Sequence, residues 1–220
     1  PPDPNELGWK ETIRVNPLEH TIFAFRPSSP TQPFDVPNSV RYIDPSLPPG
    51  AMLMPPPIGT YQTPDEQSVN IANVLVNYGW EYVWHCHLLS HEEMDMMHAL
   101  SFGVKPKAPT DLAATLNPDN SVLLTWTDNT LNESDYVILR RTLPAGTWEN
   151  VGTTGPGAGS GSTLNFTDTT TISGETYAYQ VVALNIIGLV GPLPPSGGEM
   201  PSEELQSDPS NVVEVAVLVP

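Results

Sequence analysis

The chain has 220 residues, enough for one or two domains. Its 25 acidic and 8 basic side chains leave a formal net charge of −17, which argues against a nucleic-acid partner and for a solvated acidic surface. No apolar run approaches the roughly 20 residues that a membrane helix needs, and a single cysteine excludes an intrachain disulfide without fixing the compartment. With 26 prolines, 16 glycines and no stretch of helical periodicity, the composition predicts an all-β chain with many turns. It opens Pro1-Pro2-Asp3-Pro4, with neither a methionine nor a signal peptide, and is expected to be a processed or cut product.

Residues 1–8 are a polar, proline-rich lead-in. Residues 9–15 alternate apolar and polar side chains, which predicts a half-buried strand. Asn16-Pro17-Leu18-Glu19 breaks it, and residues 20–25 are a second strand candidate. His20 has no other ligand type beside it and reads as structural. Residues 27–67 are crowded with prolines, among them Pro27, Pro30, Pro33, Pro37, Pro64 and the run Pro55-Pro56-Pro57. Proline removes a backbone donor and sits poorly in a sheet, so this is a long loop or a set of short extended pieces. Loops of that length in a compact domain are functional or disordered. Met52 and Met54 read as gap-filling apolar contacts rather than weak metal ligands. Strand character returns at residues 69–73 and 82–84, with Asn77-Tyr78-Gly79 as a turn between them.

The densest chemistry follows: Trp84-His85-Cys86-His87-Leu88-Leu89-Ser90-His91-Glu92-Glu93-Met94-Asp95-Met96. This stretch holds the only cysteine and three of the 5 histidines. Imidazole, thiolate and a weak thioether together are copper donors. Zinc takes Cys and His as well, but gains nothing from methionine at this spacing. If residues 82–87 are extended, successive side chains point to opposite faces, so Cys86 faces one way and His85 and His87 the other. One thiolate then serves one metal, and two imidazoles serve a site on the far side. His91 and Met96 lie where a loop leaving the strand can return them to the cysteine side, which gives most of a blue-copper set. Residues 96–104 read as a closing strand, with Met94 and Met97 as packing residues and His98 as exposed or structural.

Lys105-Pro106-Lys107-Ala108-Pro109 has the composition of an exposed linker. Beyond it, Leu112, Ala114 and Leu116 alternate, as do Val122, Leu124 and Trp126, and Tyr136 and Ile138 face away from Val137 and Leu139. Turn clusters separate these runs, notably Asn117-Pro118-Asp119-Asn120 and the glycine-rich residues 155–161. About seven short strands arranged so predict a small β-sandwich. Residues 106–220 resemble a fibronectin type III domain, on Leu124-Thr125-Trp126, Tyr136-Val137-Ile138 and Tyr177-Ala178-Tyr179. They depart from it at residues 186–209, where a long Pro/Gly/Glu segment replaces a short loop and leaves the register of the last strand open.

The run from His85 to Met96, His-Cys-His-x-x-x-His-x-x-x-x-Met, resembles the C-terminal copper motif of multicopper oxidases, in particular bacterial laccases and bilirubin-oxidase-like enzymes. Gly8-Trp9-Lys10-Glu11-Thr12 and Tyr82-Val83-Trp84 are similar to that group's last cupredoxin domain. The resemblance covers residues 8–26 and 68–104. It implies an all-β architecture: residues 1–105 as part of a Greek-key cupredoxin sandwich with a proline-rich insertion at 27–67, then residues 106–220 as the fibronectin-like sandwich. It implies that Cys86, His91 and Met96 bind a type 1 copper, which takes electrons from a reducing substrate. It implies that His85 and His87 bind the type 3 coppers of a trinuclear cluster that reduces dioxygen to water, four coppers in a complete enzyme. Glu92 is either the acid that supplies protons to that cluster or a solvated loop acid.

The family also needs a His-Pro-x-His-x-His motif and an N-terminal domain, neither of which is in this sequence. The chain is therefore expected to be the C-terminal part of a larger oxidase. Its expected partner is the remaining N-terminal part, and alone it is expected to be inactive, with an uncovered apolar sheet face. The reductant would be a small phenol or a metal ion such as manganese(II), the compartment extracellular or periplasmic. The insertion is expected to lie on the type 1 side or against another subunit. The alternative is a mononuclear blue-copper electron carrier, or a binding module, with an adhesion-type sandwich attached.

Overall fold

Trp126, Tyr136, Tyr179 and Leu124 are the largest side chains wholly removed from water, and they come from two sheets that face each other. The computed structural model describes residues 3–28, 31, 33–54, 61–62, 67–190 and 202–219. It divides into two units, residues 1–31 and 32–220.

In the first unit a single 3-10 turn, Pro4–Glu6, is the regular structure among the described residues. Lys10 pairs with Glu6 at 3.1 Å, and Asn16 donates to Glu19 at 3.0 Å. The strands predicted over residues 9–15 and 20–25 do not form. Alternation alone makes no strand: an extended segment needs a neighbour for its N–H and C=O groups. Here Trp9, Val15, Ile22 and Phe25 are all exposed.

Among its described residues the second unit is all β apart from one helical turn. Its first strands are β1 (Val40–Tyr42), β2 (Tyr61–Gln62), β3 (Ser68–Val69), β4 (Leu75–Asn77) and β5 (Trp80–His85). The turn α1 (Leu89–Glu92) and β6 (Met97–Phe102) follow. Between β1 and β4 the described part of the proline-rich segment winds around one buried side chain. Asn73 donates to the carbonyls of Asp44 at 2.9 Å and Leu47 at 2.8 Å, supplying partners that a loop backbone lacks. Pro30, Pro55, Pro56, Pro57 and Pro64 lie outside the described residues.

The sandwich comprises β7 (Thr110–Leu116), β8 (Val122–Thr127), β9 (Asp135–Thr142), β10 (Glu149–Thr153), β11 (Thr163–Asp168), β12 (Thr176–Leu189), β13 (Glu203–Gln206) and β14 (Val213–Ala216). One sheet has the order β11-β8-β7; the other has the order β1-β4-β12-β9-β10, with β13 and β14 also on β12. The alternation read from the sequence decides which side chains are inside. Val122, Leu124 and Trp126 of β8 meet Ile138 of β9 and Tyr177, Tyr179 and Val181 of β12 in one core. Each such side chain contributes about 1.5–3 kcal/mol by leaving water. The tyrosines keep their hydroxyls satisfied: Tyr136 donates to Asp128 at 2.6 Å and Tyr179 to Asp168 at 2.9 Å.

The described ends of the segment 186–209 are more regular than its composition predicts. β12 continues to Leu189, and β13 returns against it with Ile187 opposite Glu203. The last strand, β14, pairs Thr176 with Ala216 and Tyr179 with Val213, which settles its register. The lysine–proline stretch at 105–109 is only half exposed. Lys105 pairs with Asp208 at 2.7 Å and Lys107 with Asp35, while Pro106 and Pro109 are buried. β12 also runs on to pair with β4, Gly188 opposite Asn77.

Candidate metal centre

β5 and β6 form an antiparallel two-stranded ribbon, with Trp80 opposite Phe102 and His85 opposite Met97. Tyr82, Val83 and Trp84 are exposed along it, as are Leu88 and Leu89 at its tip. The tip carries the histidine–cysteine stretch. β5 stops at His85, and residues 86–88 continue from it outside the ladder, with Leu88 extended. The chain then closes into one turn, in which the N–H groups of His91 and Glu92 donate to Leu88 O at 2.8 and 3.0 Å. Asp95 takes a left-handed conformation (φ 54°), which ends the turn and aims the chain into β6.

That reversal brings His91 back to the cysteine. Cys86 Sγ and His91 Nδ1 are 3.2 Å apart. Bonds of about 2.3 Å to sulfur and about 2.0 Å to nitrogen, meeting at roughly a right angle, span that separation, so one ion can take both donors. Met96 is tied to the same turn by its N–H, which donates to His91 O at 3.1 Å, and its side chain is exposed.

His85, His87 and Glu92 form a separate group whose donor atoms all lie within 4.8 Å of one another. The imidazole centroids are 4.8 Å apart. Glu92 Oε1 lies 3.3 Å from His85 Nδ1 and 3.5 Å from His87 Nδ1. His85 Nδ1 also faces the Cys86 carbonyl at 3.3 Å. Both neighbours of His85 Nδ1 are oxygen atoms, an arrangement that favours the tautomer with its proton on Nδ1 and the Nε2 lone pair free. The donors therefore fall into a sulfur–imidazole pair and an imidazole–imidazole–carboxylate group, separated by the backbone of Cys86. Imidazole and thiolate suit copper, and the donor set fits it.

Of the residues singled out from the sequence, His20 lies in the first unit, and His98 stands opposite Trp84 in the ribbon. Sequence reasoning left Glu92 as either a proton supplier or a solvated loop acid and missed its position beside the two imidazoles. A helical turn starting at Leu89 was the signal, because it turns Glu92 back toward residues 85–87. The support of β5 was missed altogether. Arg41 of β1 pairs with Glu81 at 2.6 Å and stacks over the Tyr78 ring at 4.3 Å. Burial pushes the Glu81 carboxyl up, but hydrogen bonds from Arg41 and Ser39 outweigh it and hold the group below its ordinary range.

The family model for multicopper oxidases matches residues 44–106. That span takes in the whole ribbon and both donor groups. It is a multicopper-oxidase-like segment. The chain is 31% identical over 99 residues to a laccase from Bacillus subtilis (strain 168), a match that covers 40% of this chain and 18% of the laccase. The chain thus spans under a fifth of that relative's length. Among solved structures, domains A168–A170 of titin share 18% identity at a TM-score of 0.38, covering 56% of this chain and 36% of that one. The twitchin kinase region of C. elegans shares 19% at a TM-score of 0.37, covering 52% and 17%. Likeness at those scores carries no argument about the multicopper-oxidase-like segment or the sandwich. Among the described residues no helix is long and apolar enough to cross a membrane.

Proposed function

We propose that this chain is part of a multicopper oxidase. Cys86, His91 and Met96 would hold a type 1 copper, and His85 and His87 would each hold a type 3 copper of a trinuclear cluster. The observation that carries this reading is the division of the donors on the two sides of Cys86: thiolate with His91, His85 with His87 and Glu92. Copper bound there supplies one-electron oxidation of a reductant and the reduction of dioxygen to water. The protein's own contribution is orientation and proton supply. The Glu92 carboxylate lies 3.3 and 3.5 Å from the two Nδ1 atoms, close enough to orient both rings toward a metal. A carboxyl so placed stands beside both histidines, where dioxygen reduction consumes protons.

In this reading the second type 1 histidine and the remaining cluster ligands come from the rest of the oxidase, which packs on the exposed face of the ribbon. Small phenols or metal ions are the reductants, and the enzyme works in an extracellular or periplasmic setting. Residues 1–105 belong to a cupredoxin domain, and residues 106–220 are a fibronectin type III-like sandwich that spaces or binds.

The test is elemental copper analysis with absorption and electron paramagnetic resonance spectra of the complete assembly. Four coppers per assembly and an intense visible thiolate-to-copper band are expected. One copper per assembly would instead establish a mononuclear carrier, and no copper would overturn both readings.

A further inference from the structure

The metal ribbon stands on the sandwich. β5 begins one residue after Gly79 and β6 ends one residue before Gly103, so these glycines are the two feet of the ribbon. Neither has room for a side chain. A Cβ on Gly79 would lie 2.5 Å from the Phe102 carbonyl oxygen and 2.9 Å from Ile187 Cδ1. One on Gly103 would lie 2.7 Å from Leu205 Cδ1 and 3.3 Å from Ile187 Cγ1. Ile187 belongs to β12 and Leu205 to β13, so the sandwich fills the space between the feet.

Buried amides hold the same place. Asn185 of β12 is fully buried. Its Nδ2 donates to the Val104 carbonyl at 2.9 Å, just beyond the β6 foot. Its Oδ1 accepts from Asn77 Nδ2 at 3.3 Å and from Asn38 Nδ2 at 2.9 Å. Asn77 in turn donates to Ile186 O at 2.7 Å, and its Oδ1 accepts from the Gly79 N–H at 2.9 Å. Asn132 of the sandwich donates to the same Val104 carbonyl at 2.8 Å. A buried amide is costly unless its hydrogen bonds are met, so a fully satisfied network specifies one arrangement of the elements it joins.

We infer that Asn185 is a positioning residue for the metal centre, one that fixes both feet of the ribbon whose tip carries His85, Cys86 and His87. Six residues of strand put the tip about 20 Å from the clamp, so a tilt of about 10° at the base displaces the ligands by about 3.5 Å. Measured against ligands supplied from outside the ribbon, that displacement exceeds a metal–nitrogen bond of about 2 Å. The functional meaning rests on the copper reading above; the clamp itself does not.

The experiment uses the full chain and compares wild type, Asn185→Ala, Asn77→Ala and Ile138→Val, the last a core substitution away from the clamp. Native-state hydrogen exchange should show amides of β5 and β6 losing at least tenfold protection in both asparagine variants, with β8 and β9 unchanged. Ile138→Val should leave the ratio of ribbon to core protection as in wild type. Asn77→Ala spares every sandwich side chain and decides the matter if Asn185→Ala does not fold. Uniform loss across ribbon and core, or an unchanged ribbon, overturns the inference. In parallel, the copper-loaded complete assembly should show a thiolate-to-copper band that is weakened or shifted only in the asparagine variants. A complete wild-type assembly that takes up no copper sinks the copper reading while leaving the exchange result to judge the clamp.

Discussion

Half-buried Glu133 and buried Asp168 are two acids of the sandwich that answer pH in opposite directions. Burial, with the Asp128 charge beside it, pushes the Glu133 carboxyl above its ordinary range. One of its oxygens accepts from the Gly157 N–H at 2.9 Å, and the other is buried without a partner among the described residues. A carboxyl whose pKa is raised in the fold holds its proton more tightly there than in the unfolded chain. Its contribution is therefore favourable in acid and is lost as pH rises from the ordinary glutamate value through the folded one. Glu133→Gln keeps the acceptor and removes the charge; it should stabilise the chain at neutral pH by about 1 kcal/mol, measured by urea unfolding. Asp168 runs the other way. Burial would push it up, but hydrogen bonds from Thr170 and Tyr179 and the Arg140 guanidinium at 2.8 Å hold it below its ordinary range. Its stabilisation is complete above the usual aspartate range and is lost as pH falls through the folded value. Asp168→Ala leaves Arg140 partly buried and unpaired and should cost about 3 kcal/mol at neutral pH, with a shallower acid limb in a pH series of melts.

At the scale of elements, the ribbon depends on its feet more than on its own strands. Gly79 combines a left-handed backbone (φ 64°) with a carbonyl against its missing side chain. Gly79→Ala should cost at least about 2 kcal/mol locally and release β5 and β6 amides to exchange before the sandwich opens. What the sequence revealed, and what it hid, follows from range. The metal-ligand types sit within one short stretch, so His85, Cys86, His87 and His91 were legible from spacing. β8, β9 and the first half of β12 were legible from period-two alternation because each buries one face. Residues 9–15 carry the same alternation without a neighbouring strand, so local pattern misled there. The amide clamp was invisible, because Asn77 and Asn185 are 108 positions apart and nothing in either neighbourhood marks them. β13 was hidden in a segment whose composition reads as loop and whose partner is the far end of β12.

At the scale of the whole molecule, the exposed side chains Val83, Leu88 and Leu89 form an apolar surface around the donors. If the rest of an oxidase covers it, the isolated chain should bind a hydrophobic fluorescent dye strongly and the complete assembly weakly. Cys86→Ser in that assembly should abolish the visible copper band and oxidase turnover while leaving the coppers on the imidazole side in place, as counted by elemental analysis. The chain's own charge of −17 draws cations toward it at low salt, so turnover of a cationic reductant by the assembly should fall as ionic strength rises, and turnover of a neutral phenol should not.

The joint at Asn185 also bears on modularity. A sandwich held by a loose tether can be exchanged for another without consequence to its neighbour. This one lends Asn132, Asn185, Ile187 and Leu205 to the footing of the ribbon. A graft that replaced residues 106–220 would have to carry those four side chains in the same register, and truncation before β12 would remove the ground on which the histidine–cysteine tip is built.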